Sequence, residues 1–387
     1  MKKKMILISV FNKIDYDGRV QRTAETLSKK FKIVVFSVDS GLNYQNPKFL
    51  VYPISLLKFN NLKILKHIYF WLKLILFTLK IRPSIVYAND FYLGPIGWIS
   101  AKIVNAEFVY DAHELIIKDK YEKFKFKKYF WYLWEKLIVK KCDLLIAANE
   151  DRAKIMKQYY KLQKMPLVIR NISRRNMVTL TTMEVFNLYP NLKHCFSNKK
   201  IKIVYQGYMD LKRGIDFIIY LIKQLDENYQ LLLIGDGPDF KEIIKIVEKN
   251  NLQNKIIPVG KVLNKHMISI LKLCNIGIVT YPLKGLNNIY CASNKIYDYC
   301  QAGLPVVTTC QITLKKIVRK YNIGVVIGCG YNSINNIPLE EFKNAIKKIQ
   351  INYDYYKENI NTFLKENNWE NVDSKILLQE ITRLCES

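Results

Sequence analysis

The segment CASNKIYDYCQAGLPVV, Cys291 to Val307, gathers residue types that could do chemistry together. Ser293 is suited to cap a helix whose first turn carries Asn294 and Lys295. Gly303 falls just past the expected helix end, and Pro305 stops its continuation. A helix N-terminus bearing Lys295 is a ready place for an anion. Asn294 and Asp298, four positions apart, share a face. Asp298 can accept hydrogen bonds from two vicinal hydroxyls, as on a ribose. The same pattern also suits an ordinary helix before a strand, with its polar residues turned to solvent.

Three other stretches place reactive types at element ends. In YQGYMDLKRGIDFII, Tyr205 to Ile219, Gly207 allows a ligand to approach the backbone closely. In LLLIGDGPDF, Leu231 to Phe240, Gly235 and Gly237 permit a tight turn. Asp236 and Asp239, just before a helix, read as caps rather than metal ligands. In VYDAHEL, Val109 to Leu115, His113 follows a buried strand and stands at its carboxyl end, with Glu114 beside it. It is one of only 4 histidines. In DGRVQRTAETL, Asp17 to Leu27, Asp17 and Gly18 open the first helix, a place for phosphate or acceptor groups. Arg19 fits a structural ion pair as well as a ligand contact.

The elements that must position these residues alternate, strand and helix, twice over. Met5 to Val10, Lys32 to Val38, Ile85 to Ala88, Glu107 to Tyr110 and Leu144 to Ala147 are short apolar runs bounded by polar turns. They read as buried parallel strands. Helical patterns lie between them, at Val20 to Lys30, Leu62 to Lys80, Gly94 to Val104, Tyr121 to Lys140 and Asp151 to Tyr160. The rhythm falters between Asn171 and Lys200, and then restarts. Ile201 to Gln206, Gln230 to Ile234, Lys255 to Pro258, Ile276 to Thr280, Pro305 to Thr308 and Gly324 to Ile327 follow as strands. The expectation is α/β: a first Rossmann-like domain over 1–170, a linker over 171–200 and a second over 201–365. A final helix within 366–387 is expected to cross back to the first domain. Two doubly wound sheets facing a cleft bind ligands at the carboxyl ends of their strands.

Composition narrows the classes. A chain of 387 residues, half of them apolar, excludes wholesale disorder and allows two cores. No low-complexity tract or solenoid-period repeat is present. The formal net charge of +28 fits nucleic acid, an anionic membrane or phosphate-bearing substrates, and equally a general enrichment in lysine. Eight cysteines without C-x-x-C spacing suggest reduced thiols and a cytoplasmic setting. MKKKMILISV reads as a first strand rather than a signal peptide, because its apolar run is short and polar residues follow. The longest apolar stretch, Ile68 to Leu79, is broken by Lys73 and falls short of the roughly 20 residues a membrane span needs.

With these residues in view, the chain resembles the retaining GT-B glycosyltransferases of family 4 (group 1 type) from Ile6 to about Ile327. CASNKIYDYCQAGLPVV is similar to that family's nucleotide-binding helix in the version written roughly SPNKLYEYMAAGKPVV, here with Ser-Asn-Lys at its start. The likeness implies that Asp298 holds the ribose of a nucleoside diphosphate sugar. Ser293, Asn294, Gly207, Lys212, Gly235 and Gly237 then bind the nucleotide. Arg213 and Lys295 take up the charge of the leaving diphosphate, and His113 contacts the donor sugar. Asp17, Gly18, Arg19 and Glu114 fall on the acceptor side. The chain departs from the common pattern at Tyr290, where the family has a first glutamate, and at Tyr208, where many relatives have an arginine. The resemblance further implies retention of configuration, a nucleotide-sugar donor as substrate, and no permanently bound cofactor or metal.

Two first-domain helices suggest the acceptor's setting. FNNLKILKHIYFWLKLILFTLKIR and KDKYEKFKFKKYFWYLWEKLIVKK mix lysines with large apolar side chains. That mixture suits peripheral contact with an anionic membrane surface, and hence a glycan or lipid-linked acceptor in cell-envelope polysaccharide biosynthesis. The charge is spread over two α/β domains without a recognised nucleic-acid motif, so nucleic acid is not the expected partner. The alternatives are a nucleotide-sugar epimerase of the same architecture, a non-catalytic basic binding protein, or a transferase-like subunit left inactive by Tyr208 and Tyr290.

Overall fold

A computed structural model describes residues 3–41, 44–59, 62–117, 126–174 and 179–386. The chain forms two compact units. One comprises the residues up to Asn171 together with those from Trp369 onward, and the other is Ile172–Asn368.

The first unit holds strands β1 (Met5–Lys13), β2 (Lys32–Val38), β3 (Leu50–Ile54), β4 (Ile85–Asn89), β5 (Glu107–Ala112), β6 (Leu144–Ala147) and β7 (Leu167–Val168). They pair in the order β3-β2-β1-β4-β5-β6-β7, all parallel. Strands β3 and β7 were not expected. Pro53 interrupts β3, whose other residues are apolar, and β7 is two residues long. Both sit at sheet edges, where pairing with one neighbour suffices and an apolar signal on both faces is not required. Order reverses between β1 and β4, so loops after these strands diverge and leave a crevice at their carboxyl ends.

The second unit holds β8 (Ile201–Gln206), β9 (Tyr229–Ile234), β10 (Ile256–Gly260), β11 (Ile276–Val279), β12 (Val306–Thr309) and β13 (Gly324–Ile327), in the order β10-β9-β8-β11-β12-β13. Again every pairing is parallel, and the reversal lies between β8 and β11. Apolar clusters cover both faces of this sheet, one built around Ile218 and Phe342 and the other around Tyr299 and Phe363.

Residues 171–200, read as a linker, carry two short helices, Thr182–Leu188 and Pro190–Phe196. Thr181 and Glu184 form a reciprocal capping box on the first, and Pro190 opens the second. Val185, Leu192 and Cys195 bury themselves in the second unit's core. Positions 175–178 of this stretch lie outside the described residues.

The C-terminal segment belongs to the first unit. Trp369 is buried and donates its indole N–H to Thr26 Oγ1 at 3.1 Å. Asp373 accepts from the Arg170 guanidinium at 2.8 and 3.2 Å, and helix Ser374–Glu386 adds Leu377 and Ile381 to the core. The helix expected from Tyr121 is described from Phe126 to Ile138, and 118–125 lie outside the described residues.

One expectation fails outright. Cys310 and Cys329 form a disulfide, with Cα atoms 5.3 Å apart. They follow β12 and β13, which are parallel neighbours, so the sheet places next to each other two cysteines that sequence spacing left unrelated. The other six cysteines remain thiols.

Candidate active site

In the second unit the candidate residues converge past the carboxyl ends of β8 and β11. Gly207, with φ of 126°, turns the chain directly after β8. A Cβ there would lie 3.1 Å from Lys295 Cε and 3.3 Å from its Nζ, so this glycine is needed for its conformation and for the lysine's path. The loop after it is held by backbone bonds from Gly207 N to Ile234 O at 2.8 Å and from Met209 N to Asp236 O at 3.1 Å. The Asp239 carboxylate accepts from Leu211 N at 2.9 Å. Gly235 and Gly237 have no room for a Cβ, because the backbone of Gly207 and of Met209 lies against them. These two glycines, expected beneath the nucleotide, support the Gly207 loop. Asp239 starts helix Phe240–Lys249 without capping it, its carboxylate being spent on the loop, and Asp236 accepts from Gly237 N.

The helix at Lys295–Gln301 is fixed by Tyr299. Its hydroxyl accepts from Gln206 N at 2.9 Å and donates to Ile278 O at 3.2 Å, joining the helix to β8 and β11. Gly277 leaves space for the Tyr299 ring. Asp298, 5% exposed, accepts from Gln206 Nε2 at 2.7 Å and from the Ser173 hydroxyl. Asn294, expected to share a face with Asp298, is exposed. Ser293 was expected to cap this helix, yet the N-cap is Asn294 and makes no side-chain cap bond. Among the described residues Ser293 Oγ is buried without a hydrogen-bond partner, as is Gln206 Oε1.

Lys295 is a buried cation beside the Gly207 loop. It is only 4% exposed, with Nζ 3.4 Å from Tyr281 Oη and 5.0 and 4.9 Å from the ring centres of Tyr205 and Tyr281. Among the described residues no carboxylate pairs with it. Burying an ammonium group is costly unless it is compensated, and aromatic faces return only about 2 kcal/mol. An anion is the natural remaining partner. Arg213 ends the short turn Leu211–Arg213, ahead of helix Ile215–Lys223, and its guanidinium lies 5.0 Å from the Tyr208 ring centre. Lys212 is exposed.

The first unit builds a second cluster at the carboxyl ends of β1, β4 and β5. Asp111 is fully buried and accepts from Arg19 Nη2 at 2.7 Å, Arg19 Nε at 3.2 Å and Tyr87 Oη at 2.9 Å. Arg19 is therefore committed to an internal ion pair and does not present its guanidinium to an acceptor. Asp17 caps helix Gly18–Leu27 by accepting from Val20 N at 3.1 Å. Gly18 is the helix's first residue, and Glu114 is exposed. His113 Nε2 lies 3.5 Å from Asp111 Oδ2. That is a charge contact, too long to count as a strong hydrogen bond. Burial opposes charging the imidazole, but the Asp111 carboxylate outweighs it and raises its pKa. Burial of Asp111 is in turn outweighed by Arg19 and His113, which hold its carboxyl well below the usual range. Asp90 follows β4 in the left-handed region, φ 67°, and burial pushes its carboxyl up to about 6.

Sequence reading missed Ser173, Gln206, Tyr205 and Tyr281, which act through contacts made only on folding. Asp111 did leave a signal. It precedes His113 by two positions at the end of a strand, where such a pair projects to one face.

Two parallel-sheet Rossmann-like units with a cation-lined loop after the first strand of the second define a GT-B glycosyltransferase. The family described as Glycosyl transferases group 1 matches residues 193–357, and Glycosyltransferase Family 4 matches 19–171. The protein belongs to this group 1/family 4 class of glycosyltransferases. An uncharacterised glycosyltransferase of Methanocaldococcus jannaschii is 22% identical over 95% of each chain. Among solved structures, sucrose-phosphate synthase from Thermosynechococcus elongatus superposes with a TM-score of 0.74 at 15% identity over 100% of both chains. Anabaena HepE in complex with UDP-glucose gives 0.71 at 15% identity over 99% of both chains.

Proposed function

We propose that the enzyme transfers a glycosyl group from a nucleoside diphosphate sugar to a glycan or lipid-linked acceptor at a membrane surface, with retention of configuration. The observation that carries the donor half is Lys295, buried beside the Gly207 loop without a carboxylate. In this reading the diphosphate lies against the Gly207 backbone, and Lys295 and Arg213 take up the negative charge that grows on it as the glycosidic bond breaks. Lys212 adds a peripheral cation. Asp298, steadied by Gln206 and Ser173, holds the ribose, with Ser293 and Asn294 at the nucleotide's edge. The transferring sugar is contacted by His113, and the acceptor hydroxyl attacks from the face the diphosphate leaves, the departing phosphate accepting its proton. In this reading the side-chain cations Lys295 and Arg213 do the work a metal does elsewhere, while Asp236 and Asp239 hold the loop backbone.

The acceptor half rests on an exposed apolar stripe. Ile64, Ile68, Leu72, Leu76 and Leu79 line one side of helix Lys63–Ile81, with Leu72 56% and Leu76 61% exposed, while Phe70, Leu74 and Thr78 are buried on the other. Lys58, Lys63, Lys66, Lys73, Lys80 and Arg82 surround the stripe, and the sequence from 57 to 82 has no acidic residue. Trp71 meets Trp131 edge to face at 6.2 Å, which joins this helix to Phe126–Ile138 and its exposed Tyr129, Phe130, Leu133 and Leu137. Among the described residues no helix is long and apolar enough to cross a membrane. Such a surface fits peripheral attachment to anionic lipid, on the cytoplasmic face. A thermal-shift and calorimetry screen with UDP-, GDP-, ADP- and CMP-sugars tests the donor half. One diphosphate class should bind and raise Tm; no binding by any of them would remove the reading.

A further inference from the structure

The cluster around Asp111 has a role beyond filling the first unit. Asp111 sits on β5 with no exposed surface, Arg19 reaches it from helix Gly18–Leu27, and Tyr87 reaches it from β4. Together they hold the carboxylate in one orientation, with Oδ2 shared between Tyr87 and the edge of His113. The His113 backbone is fixed independently, because Arg152 on helix Glu150–Tyr160 donates to its carbonyl. Asp90 after β4 and Glu114 add negative charge nearby, while Arg19 opposes Asp111's pull on the ring.

We propose that Arg19, Asp111 and Tyr87 are positioning residues that orient His113 and stabilise its imidazolium form, so that His113 meets the transferring sugar as a hydrogen-bond donor and cation rather than as a general base. The assignment rests on His113 contacting the sugar, as set out above. Both ion-pair partners are buried, and at the His113 ring the pull of the adjacent Asp111 carboxylate exceeds the opposition of Arg19, so the pair as a whole favours the imidazolium.

Histidine NMR on the full chain tests this without a transfer assay. With 15N-labelled histidine and His113→Gln to identify its signal, the His113 titration midpoint should lie above that of an unperturbed histidine. Asp111→Asn should lower it, and Arg19→Met should raise it further. A merely structural role predicts no such opposite signs. Either single variant leaves one buried charge unpaired, so Arg19→Met with Asp111→Asn removes the pair together, and here too the midpoint should fall below that of the native chain. Nucleotide affinity should be unchanged in the double variant, while the high-pH limb of its transfer rate moves to lower pH. An unchanged His113 midpoint in the double variant, or equal shifts in the two single ones, overturns the proposal. Loss of all nucleotide binding in the native chain would instead sink the donor reading and leave the titration result standing.

Discussion

Lys295 and Arg213 stand beside a glycine loop with no carboxylate partner among the described residues, and Lys295 differs from the chain's many surface cations in being buried. Hydrogen bonds to a charged group contribute about 1.5–3 kcal/mol, equivalent to roughly 10- to 150-fold in affinity. Lys295→Met keeps the apolar stem and should weaken nucleoside diphosphate binding within that range. Arg213→Ala should cost less in the ground state and more in kcat, if its charge is used as the bond breaks. Calorimetry on the two variants, with transfer rates for Arg213→Ala, checks both, and their Tm should stay near that of the native chain. At this scale the sequence was informative about Lys295, Asp298, Arg213 and Gly207, whose types and positions could be named in advance. It was silent about Gln206 and Ser173, because a glutamine at a strand end and a serine in a loop become a carboxylate's partners only when remote segments meet.

Helix Phe126–Ile138 shows what an element gains from one buried acid. Glu135 accepts from Tyr110 Oη at 2.7 Å and Tyr160 Oη at 2.5 Å, tying the helix to β5 and to helix Glu150–Tyr160. Burial pushes its carboxyl from the ordinary 4.5 up to about 7. The fold therefore favours the protonated acid. Its contribution is complete below the ordinary value and is lost as pH rises towards 7. At about 1.4 kcal/mol per pH unit the loss is roughly 3 kcal/mol. Glu135→Gln cannot ionise, so the stability difference between variant and native chain should move in the variant's favour by about that amount between pH 4.5 and 8. Urea unfolding at the two pH values reads it. Asp111 acts in the opposite sense, since its lowered carboxyl loses stability as pH falls, so the difference between the chains is the informative quantity. Periodicity located nearly every strand within a residue or two, because buried parallel strands are continuous apolar runs. It missed β3 and β7, whose edge positions relax that demand, and it passed over two short helices whose capping box and opening proline lay in polar sequence.

For the molecule as a whole, the +28 charge and the stripe on helix Lys63–Ile81 bear on where the enzyme works. The chain should float with anionic liposomes at low salt and less so at high salt, and bind neutral liposomes weakly. Leu72→Glu with Leu76→Glu should abolish flotation while leaving nucleotide binding intact, because both side chains are exposed. Retained flotation in that variant would place the contact elsewhere.

Alternating apolar runs, sparse glycines at strand ends and one Ser-Asn-Lys helix start were enough to specify two doubly wound units and the end of the second where the candidate site lies. Those features are local, since hydrophobic burial and backbone sterics act on neighbouring residues. Only the tertiary structure decided that Arg19 belongs to Asp111, that Gly235 and Gly237 support a loop and that Cys310 meets Cys329. Each depends on which distant segments the sheet order brings side by side, and short-range spacing carries no record of that.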